Sequence, residues 1–185
     1  MTRQTIGKFF LSLVLASSAL TATIALPAFA EEFAGEPAAA QPTLPQEKLT
    51  IQSANGKHEF TVEKATTPRQ QQVGEMFRTS LPADQGMIFI WNAPQQSDMW
   101  MENTLVPLDI VFIDADDRIQ SIEENAVPQS LARISSHGPA LATLELQGGL
   151  TAKLGICVGD RVDSASLASR NQKPATLAST TTKTH

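Results

Sequence analysis

The chain has 185 residues, with 14 Lys or Arg against 19 Asp or Glu, for a formal net charge of −5. Its basic residues are scattered, whereas a polyanion binder clusters them to displace counterions, so composition argues against nucleic acid as a partner. A single cysteine, Cys157, rules out an internal disulfide and stands too far from the start to carry a lipid anchor.

Residues 1–30 combine Arg3 and Lys8, an apolar run from Phe9 to about Leu26, and the ending Ala28-Phe29-Ala30. This is the pattern of a secretory signal peptide. Its apolar stretch is too short and too rich in Ser, Thr and Ala to settle as a spanning helix, and its last side chains suit a signal-peptidase cleft. Cleavage after Ala30 leaves 155 residues and removes two positive charges and no negative ones, taking the formal charge from −5 to −7. An uncleaved N-terminal anchor is the competing reading, against which Pro27 and the Ala-x-Ala ending speak. No second apolar run is long enough to span a bilayer, so a periplasmic or secreted protein is expected.

Residues 31–47 are rich in Ala, Pro and Glu without apolar period, which predicts a disordered linker. The folded domain is expected over 48–163. Leu49 to Ser53 and His58 to Lys64 alternate apolar and polar residues around Asn55-Gly56, which predicts a β-hairpin. Thr67 as cap and Pro68 at the first position predict a short helix to about Met76. Strands are expected at 86–91 and 98–101, separated by the turn-prone Asn92 to Ser97. Two more, 108–114 and 118–123, join at Ala115-Asp116-Asp117. A strand at 141–147, a helical turn at 151–154 and a short strand at 160–162 complete the domain, and 164–185 read as a flexible Ser/Thr/Ala tail. About seven short strands with one or two short helices predict a mainly β (β-rich α+β) fold, a small curved sheet or β-barrel.

Gly86-Met87-Ile88-Phe89, then Met99-Trp100-Met101-Glu102-Asn103-Thr104 with Pro107-Leu108-Asp109 behind it, then Leu144-Glu145-Leu146-Gln147-Gly148-Gly149, then Gly159-Asp160-Arg161-Val162 follow one another in order. In these motifs, over about Ile51 to Val162, the chain resembles the domain of unknown function family number 192. The resemblance implies a small β-barrel-like fold, often exported, with no assigned biochemical role and no catalytic residue. The family commonly carries Gly-Leu-Met-Phe-Arg where this chain has Gly74-Glu75-Met76-Phe77-Arg78, and often a hairpin glycine where Asp117 stands.

The densest chemistry lies from Asp98 to Asp109. On a strand over 98–102, alternation would place Trp100 with Asp98 and Glu102 on one face, an aromatic wall between two acids that suits a small polar or sugar-like ligand. The opposing reading makes Trp100 a core or rim side chain and leaves the acids solvated. Asp109 interrupts an apolar run and must be paired or hydrogen-bonded to enter a sheet. Arg78 is the expected partner, either as a structural clamp or as part of a ligand site. Asn103 either touches a ligand or holds a turn. The candidate ligand-binding set is thus Trp100, Asn103, Asp109, Arg78, Asp98 and Glu102.

Asp114, Asp116 and Asp117 faintly resemble a calcium loop, but Ile119 and Asn125 stand where its glycine and glutamate belong, and a hairpin turn explains the same residues. Met76, Met87, Met99 and Met101 suit Cu(I) in principle and core filling in practice. His58 and His137 lack a ligand at metal spacing, and Cys157 in the apolar patch Leu154 to Val158 reads as a buried, inert thiol. No metal and no cofactor is therefore expected. Three functions fit these residues: a periplasmic binding or accessory module for a small polar or carbohydrate-like ligand, an envelope glycan hydrolase using a pair among Asp98, Glu102 and Asp109, and a structural partner of an envelope protein complex.

Overall fold

The computed structural model describes residues 35–171. The predicted signal peptide, the first residues of the predicted linker and residues 172–185 of the predicted tail lie outside the described residues. Seven strands form one mixed sheet: β1 (Gln46–Ser53), β2 (Gly56–Ala65), β3 (Gln85–Met99), β4 (Leu108–Ile113), β5 (Ile119–Ala126), β6 (Ile134–Gln147) and β7 (Arg161–Ser164). Three short helices accompany them: α1 (Pro68–Val73), α2 (Leu150–Leu154) and α3 (Ala165–Asn171).

The sheet order is β5-β4-β6-β3-β2-β1-β7, and β2 with β3 is its parallel pair, the others being antiparallel. A parallel pair needs a crossover, and α1 lies in it. The two edges then approach each other: Ile119 N donates to Asp160 O at 2.9 Å, Gly159 N to Ile119 O at 2.8 Å and Val162 N to Asp117 O at 2.8 Å. The sheet is therefore a curled half-barrel, as the strand count predicts.

Curling divides the core into two layers. Leu49, Ile51, Val62, Ile88, Val111 and Leu144 fill one face, closed by Leu150 of α2 and Leu167 of α3. Met87, Phe89, Met99, Met101, Ile110 and Phe112 fill the other. Strand β4 is buried on both faces, which is why its sequence is a continuous apolar run broken only by Asp109.

The Asn55-Gly56 hairpin pairs β1 with β2 from Ser53 and Gly56 outward. At α1 the expected cap is a reciprocal box: Gln70 N donates to Thr67 Oγ1 at 3.2 Å and Thr67 N donates to Gln70 Oε1 at 3.1 Å. The helix stops at Val73, three residues before the expected end, with Gly74 as its C-cap. The β4–β5 turn is the predicted hairpin, with Asp114 Oδ1 accepting from the backbone N–H of Asp116 and Arg118, both at 2.9 Å. Asp117 sits there at φ 59°, the left-handed conformation that glycine adopts most readily.

Three expectations are corrected. Asn92 to Ser97 is not a turn: β3 runs through it, paired with the first half of β6 across two register shifts. Residues 92–96 are exposed and so show no alternation, while Ser97 is buried and held by polar links such as Ser97 N to Ser136 Oγ at 3.0 Å. Cys157 is exposed, because Gly155 turns the chain after α2 and Ile156 takes the core position instead. Residues 165–171, read as tail, form α3, anchored by Leu167 and by Ser166 Oγ donating to Glu47 Oε2 at 2.7 Å. A single apolar side chain leaves no period to detect. In the segment before the domain, Gln41 Nε2 donates to Gly74 O at 2.9 Å and Leu44 N to Glu63 Oε2 at 2.7 Å.

Candidate functional site

Residues paired across neighbouring strands point to the same face of a sheet. Glu63 of β2 pairs with Met87 of β3, Met87 with Glu145 of β6, and Glu145 with Ile110 of β4. Two glutamates thus enter the second core layer on either side of a methionine. A third acid joins them from above, Glu75, in the segment that follows α1. All three are buried, with relative exposures of 5%, 4% and 2% for Glu63, Glu145 and Glu75.

One guanidinium serves the group. Arg78 donates to Glu63 through both terminal nitrogens, at 2.8 and 2.9 Å, and its Nε lies 3.1 Å from Glu75 Oε2. The three carboxyls then diverge electrostatically. Burial alone would raise Glu63, but the hydrogen bonds from Arg78 and Leu44 N, with the Arg78 charge, hold it below the usual carboxylate range. Burial pushes Glu75 up to about 7, with Arg78 opposing and Glu63 adding to the rise. Burial and then the Glu75 charge push Glu145 well above the ordinary value.

Glu75 and Glu145 open onto a cavity of about 280 Å³ walled by α1, the segment after it, β3, the turn after β3, and β6. Trp91, Phe89 and Met99 of β3 contribute apolar walls, and Trp100, 46% exposed, stands at the rim. The Phe89 and Trp91 rings are tilted by 32° with centroids 6.1 Å apart. Gly74 makes the approach possible: a Cβ there would meet the Phe89 ring at 3.1 Å and Glu145 Oε2 at 3.6 Å, and its φ of 48° is one that side-chain-bearing residues rarely adopt. Oε1 of Glu75, Oε2 of Glu145 and Nε1 of Trp91 are buried without a hydrogen-bond partner, while Oε2 of Glu75 has Arg78 as its ion-pair partner.

Of the residues predicted from sequence, Trp100 and Asp98 line this cavity. They do so for a different reason than strand alternation, since β3 ends at Met99 and Trp100 begins a turn. Asp98 also pairs with Arg133, Nε to Oδ1, at 2.8 Å. Glu102 is half-buried in that turn and is no part of the wall. Asn103 holds it: at φ 54°, its backbone oxygen accepts from Phe77 N at 2.8 Å and its amide faces Met76 Sδ at 4.0 Å.

The expected Arg78–Asp109 pair does not form. Asp109 accepts instead from Asn125 N at 2.8 Å and from Gly149 N, Thr151 N and Thr151 Oγ1, each at 2.7 Å. Four donors from the β5 and β6–α2 segments satisfy it more completely than one guanidinium, and Arg78 lies with the acids of β2 and its own segment. Asp109 is thus a structural clamp at the start of α2, its two oxygens taken up by four donors. Met76, Met87, Met99 and Met101 are buried as core filling predicts, and no cluster of His, Cys, Asp or Glu suited to a metal ion occurs among the described residues.

Sequence reading passed over Glu75, Glu145 and Trp91. The available signals were an acid between Leu144 and Leu146, where alternation puts it on a face already apolar on both neighbouring strands, and an acid at 75 where the resembled family commonly has leucine.

Residues 50–164 match the model of the family DUF192, described as an uncharacterized ACR. No curated protein matches the chain. Among solved structures, one from Sinorhizobium meliloti 1021, described as a candidate transcription regulator, is similar at 39% identity and a TM-score of 0.65, covering 68% of this chain and 98% of its own. Another, a protein of unknown function from Novosphingobium aromaticivorans DSM 12444, is similar at 43% identity and a TM-score of 0.65, covering 72% of this chain and 96% of its own.

Proposed function

The chain belongs to the uncharacterised DUF192 family, and from the cavity it builds we propose that it is an exported binding module for a small polar ligand. The observation that carries this reading is the set of buried polar atoms at one cavity: Glu75 Oε1, Glu145 Oε2 and Trp91 Nε1, all without a hydrogen-bond partner. Each such group costs about 1–3 kcal/mol of desolvation when left unmade, and a folded protein retains several at one place where something else completes them. Aromatic walls with a few convergent polar groups are the usual make-up of a small-molecule site. The ligand site proposed from sequence thereby shifts, keeping Trp100 and Asp98 and replacing Asn103, Asp109, Arg78 and Glu102 with Glu75, Glu145 and Trp91.

Export is part of the proposal and rests on the pattern of residues 1–30. Among the described residues no helix is long and apolar enough to cross a membrane. The name given to the Sinorhizobium structure suggests gene regulation, but a formal charge of −5 with basic residues scattered along the sequence argues against nucleic acid as the partner.

Both tryptophans of the chain, Trp91 and Trp100, line the cavity, so its occupancy is read directly from intrinsic fluorescence. The test is a thermal-shift and fluorescence screen of residues 31–185 against sugars, amines, envelope glycan fragments and nucleotides. A ligand at a hundredfold excess over Kd stabilises the native state by about 2.7 kcal/mol. A hit whose spectral change is reduced in Trp100→Ala supports the reading, and silence across the panel counts against it. Recovery from a periplasmic fraction with Glu31 as first residue tests the export step.

A second reading, partner of an envelope protein, draws on the exposed side chains Leu105, Val127 and Leu131, at 43%, 68% and 74%. Their loops are joined by Gln129 N donating to Thr104 O at 3.1 Å and Met101 N to Ser130 O at 3.0 Å. Crosslinking in whole cells separates the two readings: a protein adduct lost in Leu131→Asp and indifferent to Trp100→Ala favours the partner.

A further inference from the structure

We propose that the ligand of the Glu75–Glu145 cavity is a small organic cation that also carries a hydroxyl or carbonyl oxygen, that is, an amino alcohol or amino sugar. This rests on the binding-module reading and names its ligand class.

The charge of the wall decides the sign. Three acidic residues line the cavity, Glu75, Glu145 and Asp98, and none of its lining residues is Lys, Arg or His. The Arg78 guanidinium is already committed to Glu63 through both terminal nitrogens and to Glu75 through Nε, and that of Arg133 to Asp98. An anionic ligand would enter among three carboxyls and find the guanidiniums of Arg78 and Arg133 already paired with Glu75 and Asp98. A neutral polyol would satisfy hydrogen bonds yet leave two like charges facing each other whenever both acids ionise. A cation between Glu75 and Glu145 relieves both at once, and its N–H groups supply the donors that Glu75 Oε1 and Glu145 Oε2 lack.

The other walls fix the rest of the ligand. Trp91, Trp100 and Phe89 bring three aromatic rings to the lining, and a ring face holds ammonium and guanidinium groups through its quadrupole. Met76 and Met99 offer soft apolar surface to a carbon skeleton. Trp91 Nε1 is a buried donor without an acceptor, which a bare ammonium cannot satisfy and an adjacent hydroxyl or carbonyl can. These features favour an organic body over a bare metal ion, which would need several oxygen ligands in place of rings.

Binding is then linked to protons. The charged groups facing the two acids are Arg78 from the segment after α1, Glu63 from β2 and Asp98 from β3, the last paired with Arg133; no other wall contributes a charged side chain. Burial holds Glu75 and Glu145 protonated to higher pH than ordinary carboxyls, so an arriving cation displaces protons. Its affinity falls as pH is lowered below 7, by up to about tenfold per pH unit for each proton displaced.

The experiment is calorimetric titration of residues 31–185 with ethanolamine, choline and glucosamine, against ethylene glycol and glucose as neutral counterparts and against Ca²⁺ and Mg²⁺. Ionic strength is matched, and the pH 7 runs are repeated in two buffers of different ionisation enthalpy. The inference expects binding by at least one of the three cations, proton release into the buffer, and a loss of about tenfold or more in Glu145→Gln and in Glu75→Gln. Both variants retain the shape of a protonated acid, and Trp100→Ala at the exposed rim gives an independent loss. Equal binding by glucose and glucosamine, binding by metal ions alone, or cation binding indifferent to both Gln variants overturns the cation assignment. In the glucose case, a loss in Trp100→Ala keeps the binding-module reading intact. Absence of binding by every organic compound overturns both.

Discussion

Arg78 grips Glu63 with two parallel hydrogen bonds, Nη1 to Oε1 at 2.8 Å and Nη2 to Oε2 at 2.9 Å, tying the segment after α1 to strand β2. A planar fork meeting a carboxylate in this way has no lysine equivalent. Arg78→Leu removes the cation that pairs with both Glu63 and Glu75, and breaking a buried pair from one side costs about 3–5 kcal/mol. Urea unfolding followed by Trp fluorescence should show that loss, with Arg78→Lys recovering only part of it. A loss under about 1 kcal/mol in Arg78→Leu would mean that the pair is solvent-screened and holds nothing in place.

Asp109 makes the opposite kind of demand. Its four donors come from Asn125, Gly149 and Thr151, so this one carboxyl, 0% exposed, joins β4 to the start of α2 and to the end of β5. Asp109→Ala strands four buried groups and is expected to destabilise by about 3 kcal/mol or more, whereas ligand binding at the Glu75–Glu145 cavity stays intact in the fraction that folds. Binding lost in proportion to stability fits this structural role; binding abolished in a protein that still melts cooperatively at its native temperature contradicts it.

These two residues show what was legible in the sequence. That a lone acid in an apolar run must be satisfied follows from desolvation, and Asp109 obeys it. Which group satisfies it depends on the curl of the sheet, and no local pattern carries that information. The Asn55-Gly56 hairpin, the Thr67 cap and the β4–β5 turn were legible because short-range backbone chemistry fixes them. The first half of β6 and the middle of β3 were not, because residues 92–96 are exposed and carry no alternation, and the strands are joined there by buried serines, Ser97 and Ser136, instead of an apolar period. The cavity itself is long-range: Glu75, Trp91 and Glu145 meet only after β6 is inserted between β4 and β3.

Gly86 tests that insertion. A Cβ there would fall 2.5 Å from Glu145 O and 2.9 Å from Leu146 Cδ2, so the neighbouring backbone of β6 would have to move. Gly86→Ala is expected to cost about 1–3 kcal/mol through overpacking. Because the displaced strand carries Glu145, it should also weaken ligand binding beyond its effect on stability. Unchanged unfolding in Gly86→Ala would show that β3 and β6 stand further apart than described.

The buried acids make stability fall as pH rises. Below pH 4.5, the ordinary value for Glu75, folded and unfolded chains both hold its proton and the group contributes no difference. Above it the unfolded chain loses the proton while the folded one keeps it up to about 7, so the native state binds more protons and the unfolding free energy declines through that window. The decline amounts to about 3 kcal/mol from Glu75. Glu145 extends it to higher pH. Glu63 acts in the reverse sense, its contribution being present above the ordinary value and lost as pH falls through its lowered one. Glu75→Leu deletes the first effect and, by removing a neighbouring negative charge, eases the second. Urea midpoints at pH 4, 5.5, 7 and 8 should therefore converge between wild type and Glu75→Leu at the acid end and separate in favour of the variant towards pH 8. Parallel profiles would mean that water reaches Glu75 and that the site is wetter than its burial implies.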